Sequence, residues 1–301
     1  MTRTRAGVSR RQYGPATLFL APFYLMFLVC LIAPLGYATW LSFFHEESSG
    51  LGFGGTTSVF VGLDNFRAAL ADLSFWKSFR IPLLYCLMYV PVMLGTAVVL
   101  ALLLDSAYAR GKRFFQLALY APHVIPGVIA TVIWVYLYTP GISPVIDAFE
   151  TLGLPWSLGS DPAAVAAIAN ITVWMGTGYS AVIFFASLQA IPRELIEAAT
   201  IDGAGAFRTA LSVKVPLIRG AIGMVAMFSV IGSFQMFAGP LLLREQTRTI
   251  TSEWTPVLFI YNRAFLQKDF GYAAATSLVF AAAIGIASFA AYRLTKRRTP
   301  A

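Results

Sequence analysis

From Thr17 to Phe44 the chain runs for 28 residues without an Asp, Glu, Lys or Arg, and that stretch sets what the rest can be. About 20 apolar residues in a helix cross the roughly 30 Å hydrocarbon core of a bilayer. A secretory signal has an apolar core of only about 7–15 residues. The run is therefore read as a retained first span, about 17–44, behind a tail, 1–16, that carries Arg3, Arg5, Arg10 and Arg11 and no acid. Five more segments of this kind follow, at about 77–104, 114–139, 163–190, 217–243 and 271–292. Pro82 and Pro91 interrupt the second, which membrane helices tolerate because neighbours re-satisfy the freed carbonyls. Charged residues are 12% and hydrophobic residues 58% of the 301, against about 25% and roughly 45–50% in soluble domains. The expected fold is all-α: a polytopic membrane protein with six transmembrane helices.

In a soluble chain a net charge of +8 would suggest nucleic acid; here it reports topology, because basic residues collect on the cytoplasmic side. Of the 22 Lys and Arg residues, fifteen fall on one side. They are the four of the tail, Arg110, Lys112 and Arg113 in the turn 105–113, Arg193, Arg208, Lys214 and Arg219 in and beside the connection 191–216, and Arg293, Lys296, Arg297 and Arg298 at the end. The connections 45–76, Gly-rich at 50–55, and 140–162 are acidic and external, the first with a short amphipathic piece around Leu63 to Leu70. The external connection 244–270 is the exception, with Arg244, Arg248, Arg263 and Lys268 beside Glu245, Glu253 and Asp269. Both termini are expected in the cytoplasm, with 17–293 a single membrane domain and 294–301 a second tail. Small residues from Ala273 to Ser288 mark the sixth span as a packing helix, since small side chains let membrane helices approach closely.

Enzymatic chemistry finds no footing. The Gly-Lys pair Gly111-Lys112 lacks the G-x-x-x-x-G-K-[ST] frame of a phosphate-binding loop, and His45-Glu46-Glu47 lacks the second histidine of a zinc helix. Cys30 and Cys86 lie inside apolar runs without metal spacing. A secondary transporter buries acids or bases at mid-membrane, whereas Asp105, Arg219 and Arg293 sit at span ends. His123, between Pro122 and Pro126, is expected to hydrogen-bond carbonyls freed by those prolines rather than to line a pore.

The longest polar insertion on the inner side is Ile191 to Leu217, IPRELIEAATIDGAGAFRTALSVKVPL. Pro192 suits a helix start, and Glu194 places an acid near its positive end. The helix can run to Asp202, where Gly203 supplies a left-handed stop, and a second helix can start near Ala206. The result is a helix-turn-helix on the cytoplasmic side, with Ala198 and Ala199 keeping one face small and Glu197 offering a charge to a basic partner. The bland alternative is an amphipathic connector on the membrane surface.

Glu197-Ala198-Ala199, three residues, Gly203, nine residues, then Val213-Lys214-Val215-Pro216 resembles the EAA loop of binding-protein-dependent ABC importers, with Val for the consensus Ile and Leu. The resemblance extends to residues 19–43, GLDNF at 62–66, Trp156 to Asp161, LQAIP at 188–192, SFQMF at 233–237 and YNRAFLQKDFGYAAATSL at 261–278. These are similar to the carbohydrate-uptake branch, the maltose and glycerol-3-phosphate type. A departure is Ala238-Gly239-Pro240, where the family often has Gly-Gly-Pro.

This resemblance implies a type I ABC importer permease fold with a cytoplasmic coupling helix. Glu197, Ala198, Ala199, Asp202, Gly203 and Pro216 would couple to the ATPase. The implied partners are a second permease subunit, two ATPase subunits that bind ATP and Mg, an extracytoplasmic solute-binding protein and the lipid bilayer, with no nucleic acid. No cofactor is expected on this chain, and the implied location is a bacterial or archaeal cell (inner) membrane. In maltose-type permeases, solute contacts come from the spans before and after the loop. They fall here on Thr172, Met175, Gly176 and Tyr179, and on Ser229, Gly232, Ser233 and Met236. Trp174, Gly176 and Tyr179 match that pattern in identity; Thr172, Gly232, Ser233 and Met236 do not. Thr172, Tyr179, Ser229, Ser233 and Gln235 could serve a sugar, or the hydroxyls could hold helices together at roughly 0.6 kcal/mol each. Pore charges suited to glycerol-3-phosphate, phosphate or polyamine are not evident, so a neutral sugar is expected.

Overall fold

The structure, a computed structural model, describes residues 13–48, 56–106, 108–139, 141–153 and 157–296. The arginines of the N-terminal tail, the glycines at 50–55, Trp156, Arg297 and Arg298 lie outside the described residues. The chain forms two compact units, one reaching to Ala71 and including Arg263–Val279, the other holding Asp72–Asn262 and the chain from Phe280.

In the first unit, α1 (Tyr13–Phe27) passes through a π turn at Leu28–Ile32 into α2 (Ala33–Leu41). No residue in its most apolar window is buried. A hairpin that the sequence pattern does not announce comes next: β1 (Phe44–Ser48) pairs antiparallel with β2 (Thr56–Phe60), Phe44 opposite Phe60. The amphipathic piece expected at 63–70 is α3 (Asp64–Ala71). Its buried Asn65 donates through Nδ2 to the carbonyls of Ser42 and Phe44, at 2.9 and 2.8 Å, tying the hairpin to the end of the first helix. Gly271 packs so closely here that a Cβ would lie 1.8 Å from the Phe44 carbonyl oxygen.

The second unit opens with α4 (Leu73–Lys77), capped by Asp72, whose carboxylate accepts from the amides of Ser74 and Phe75. Then come α5 (Arg80–Asp105), α6 (Lys112–Val124), α7 (Gly127–Leu137), α8 (Pro144–Thr151) and α9 (Asp161–Gln189). The inner connection holds α10 (Arg193–Ile201), α11 (Ala206–Thr209), a π turn at Ala210–Lys214 and α12 (Val215–Leu217). After it come α13 (Arg219–Phe234), α14 (Ala238–Leu243), α15 (Pro256–Tyr261) and α16 (Phe270–Lys296), whose first turns belong to the other unit.

Among the described residues, four helical stretches are long and apolar enough to cross a membrane, and two more become spans as bent pairs. The third expected span, 114–139, turns by 90° between α6 and α7. Pro126 explains the turn, because its ring pushes the preceding residue out of the helical region, and Ile125 is extended, with ψ at 127°. The fifth, 217–243, bends by 64° at its start and breaks again at Gln235 before α14. Smooth apolar runs conceal both features.

At the centre α9 is clasped between α5 and α6. Ala97 and Ala101 of α5 and Ala164, Val165, Ala167, Ala181 and Phe184 of α9 are fully buried, so small side chains bring the backbones together. Gly178 is the extreme case: a Cβ there would lie 1.7 Å from the Leu119 carbonyl oxygen of α6. In α16 the small residues near its start, Gly271, Ala273, Ala274 and Ala275, are buried; Ala281, Ala282 and Gly285 are exposed. At the far end of α5 and α9, Asp161 pairs with Arg80 and accepts from Trp254 Nε1 at 2.8 Å.

Candidate functional site

A cavity of about 320 Å³ opens between α5, α9 and α13. Tyr89 and Met93 form its α5 wall, Thr172, Gly176, Tyr179, Ser180 and Ile183 its α9 wall, and Met224, Val225, Phe228 and Ser229 its α13 wall. None of these side chains is charged. Gly176 admits Met93, whose sulfur would lie 3.1 Å from a Cβ at that position.

Several hydroxyls here already have partners. Tyr85 donates to Thr172 Oγ1 at 2.7 Å, and Thr172 donates to the Ile168 carbonyl at 3.1 Å. Tyr89, stacked on Tyr85 with centroids 4.7 Å apart, donates to the Ser229 carbonyl at 3.2 Å. Ser180 bonds back to the Gly176 carbonyl at 2.9 Å. The cavity wall is thereby braced: α5 is hydrogen-bonded to both α9 and α13. Tyr179, 41% exposed, presents its ring at the mouth, and the His123 imidazole lies flat on it, centroids 4.3 Å apart and planes within 10°. Tyr120 flanks both rings. The expectation that His123 turns to proline-freed carbonyls is thus replaced by an aromatic stack.

Of the eight residues nominated from the sequence, Thr172, Gly176, Tyr179 and Ser229 line this cavity. Met175 and Met236 pack partly buried against the core. Ser233 is fully buried and donates to the Ser229 carbonyl at 2.8 Å, and Gly232 faces open space. The second span's contribution was missed, although Tyr85, Tyr89 and Met93 recur every four residues and so share a helix face.

The inner connection is built from local chemistry. Pro192, with ψ at 134°, sets the start of α10, and Glu194 occupies its first turn. The end is a Schellman motif: the Ala204 amide donates to Ala199 at 2.9 Å and the Gly203 amide to Thr200 at 3.0 Å. Gly203 adopts φ of +78°, which glycine enters without the Cβ penalty. Glu197, Ala198, Asp202, Gly203 and Pro216 are exposed and Ala199 half-buried. Between them stand two apolar side chains, Ile201 at 85% and Phe207 at 79% exposure. Exposed apolar groups in a polar rim are found on surfaces that meet another protein or a membrane. At the root of this connection, Lys214 pairs with Asp105, the last residue of α5, and Gln189 Nε2 donates to the same carboxylate at 2.6 Å.

The chain is similar to several known transport proteins. The chain is 32% identical over 299 residues to the diacetylchitobiose uptake system permease protein NgcF of Streptomyces coelicolor, covering 92% of this chain and 83% of that one. It is 27% identical over 263 residues to the sn-glycerol-3-phosphate transport system permease protein UgpA of Yersinia pseudotuberculosis, covering 87% of each. The fold resembles a chain of a bacterial ABC transporter involved in the import of the acidic polysaccharide alginate, with a TM-score of 0.79, 19% identity and coverage of 97% of this chain and 98% of that one. With residues 74–300 matching the family's sequence profile on a frame of membrane-crossing helices, the chain belongs to the inner membrane components of binding-protein-dependent transport systems.

Proposed function

We propose that this chain forms half of the translocation path of an ATP-driven importer for a neutral sugar or sugar derivative. The observation that carries the solute class is the uncharged wall of the cavity between α5, α9 and α13, with Tyr89 and Tyr179 among apolar side chains. Sugars stack on aromatic faces and seek few, directed hydrogen bonds, whereas a phosphate or a polyamine calls for fixed opposite charge. The sugar-related relative, similar over most of both chains, supports the same class.

In this reading the remaining parts are supplied by partners. A second permease completes the path, and an extracytoplasmic binding protein delivers the solute. Two ATPase subunits bind ATP and Mg and grip the 191–216 connection through Glu197, Ala198, Ala199, Asp202, Gly203 and Pro216, with Ile201 and Phe207 as apolar anchors. Both termini lie in the cytoplasm. Closure of the ATPase pair moves α10, and α5, α9 and α13 re-aim the cavity from one side to the other.

The test is uptake by the complete transporter in liposomes, with neutral oligosaccharides against their anionic counterparts, for the wild type and for Tyr179→Ala and Glu197→Lys. Glu197→Lys should abolish uptake and the stimulation of ATP hydrolysis. Tyr179→Ala should raise the solute concentration needed for half-maximal uptake by about tenfold, a loss of about 1.4 kcal/mol. Preferential uptake of anions, or indifference to both substitutions, would refute the reading.

A further inference from the structure

A partly buried charge pair at the root of the inner connection has no role in the function proposed so far. Asp105 ends α5, where the free carbonyls and the helix dipole disfavour a negative charge. Its side chain is only 11% exposed and that of Lys214 only 19%. Its two carboxylate oxygens are engaged separately: Oδ2 by Lys214 Nζ, and Oδ1 by Nε2 of Gln189, the last residue of α9, at 2.6 Å. Arg110, Lys112 and Arg113 follow within a few residues, yet the carboxylate is paired 109 positions away. Lys214 also closes the π turn Ala210–Lys214. The residue such a turn inserts rotates the rest of the helix by about 100° around its axis. The irregularity thus sets the direction in which Lys214 points.

Three elements meet here: the ends of α5 and α9 and the returning arm of the connection. Both helices carry cavity wall at their other levels, Tyr89 and Met93 on α5, Thr172, Gly176 and Tyr179 on α9. We propose that Asp105, Gln189 and Lys214 form a rigid clasp that transmits displacement of the inner connection to α5 and α9, and through them to the cavity. They are positioning residues, touching neither solute nor nucleotide. The clasp stays closed through the transport cycle. This rests on the reading of 191–216 as the ATPase-docking element.

The experiment replaces the ion pair by a bond that can be made and broken in one folded protein. In a Cys30→Ser, Cys86→Ser background, Asp105→Cys and Lys214→Cys are introduced together. The complete transporter in liposomes is then treated with a reducible bifunctional thiosulfonate that spans the two thiols. Uptake, and stimulation of ATP hydrolysis by solute-loaded binding protein, are measured before crosslinking, after it, and after reduction. The dithiol form should lose about tenfold in both, within the roughly 5–150-fold range of coupling between sites. Crosslinking should restore both, and reduction should remove them again. A charge-exchanged variant, Asp105→Lys with Lys214→Asp, should also work, since a cation suits the end of α5.

Equal activity in all three states overturns the proposal, as does a crosslinked protein that is inert while the dithiol is active, because the pair would then have to open. A protein inert throughout, with the crosslink proved by mass, overturns it as well. Glu197→Lys is run in parallel. If it leaves stimulation and uptake intact, the docking reading falls; if it uncouples while the crosslinking arms do not differ, only the clasp falls.

Discussion

Gly178→Ala tests the packing on which the cavity depends. The added Cβ would lie 1.7 Å from the Leu119 carbonyl oxygen, 2.4 Å from its carbon and 3.2 Å from its Cα, where real Cβ atoms essentially never come within 3.0 Å. The obstacle is backbone, so no rotamer change relieves it, and α6 must withdraw from α9 by more than 1.3 Å to clear the oxygen. Overpacking of this kind costs about 1–3 kcal/mol, and a rigid helix on the other side places this site at the upper end. The same withdrawal separates His123 from Tyr179, now 4.3 Å apart, so uptake should suffer along with stability. Thermal unfolding of the detergent-solubilised protein, read beside uptake, measures both. Leu119→Ala should not rescue the variant, because the clash is with a carbonyl. Gly95→Ala is the control, since nothing lies within 4 Å of a Cβ there. A Gly178→Ala protein as stable and active as the wild type would show that α6 and α9 do not meet at this crossing.

Other substitutions separate the remaining features. Asn65→Ala removes two hydrogen bonds, at 2.9 and 2.8 Å, and strands buried carbonyls, which costs about 1–3 kcal/mol; faster amide exchange across the β1–β2 hairpin is the readout, and unchanged exchange would contradict it. Gly203→Ala forces a side chain into φ of +78° at a cost of about 1–2 kcal/mol. Its Cβ meets nothing within 4 Å, so the protein should still insert, and Gly203→Trp, which fills that space, should impair uptake far more. Arg80→Ala should change stability by less than about 1 kcal/mol, because the Arg80 side chain is 74% exposed and Asp161 keeps the Trp254 indole; a larger shift in unfolding temperature would count against the exposed geometry.

How much could be read in the sequence depends on the range of the forces involved. The inner connection was legible because Pro192, Glu194 and Gly203 act on the backbone next to them. Its helix ends therefore follow from residue type. The long apolar spans were legible because hydropathy accumulates over many residues. The 90° turn at Ile125–Pro126 was not: the same prolines that mark a tolerated kink in one context break the helix in another, and hydropathy is blind to direction. The cavity was half legible. Thr172, Gly176, Tyr179 and Ser229 came from the resemblance; the four-residue spacing of Tyr85, Tyr89 and Met93 marks a helix face without saying what it faces, and Met224 and Phe228 lie inside an apolar run and stand out against nothing. Asp105 and Lys214 carry no local signal of each other. The hairpin was missed because neither strand, FHEES nor TTSVF, alternates apolar with polar residues.

The bends also divide the spans by how each can enter the membrane during synthesis. The stretch Leu18–Leu41 is a continuous apolar helix without a sharp bend, long enough to cross a membrane, so it can enter as a single rod. A segment broken at Ile125–Pro126 or at Ile218 exposes amides and carbonyls that hydrocarbon does not accommodate. Such a segment reaches its final shape only once other helices are present beside it, α9 for α6, α14 for α7 and α5 for α13. For α6 and α7 that shelter is translated later than the segment itself. The third span therefore waits, straight or outside the hydrocarbon, for a helix the ribosome has not yet made.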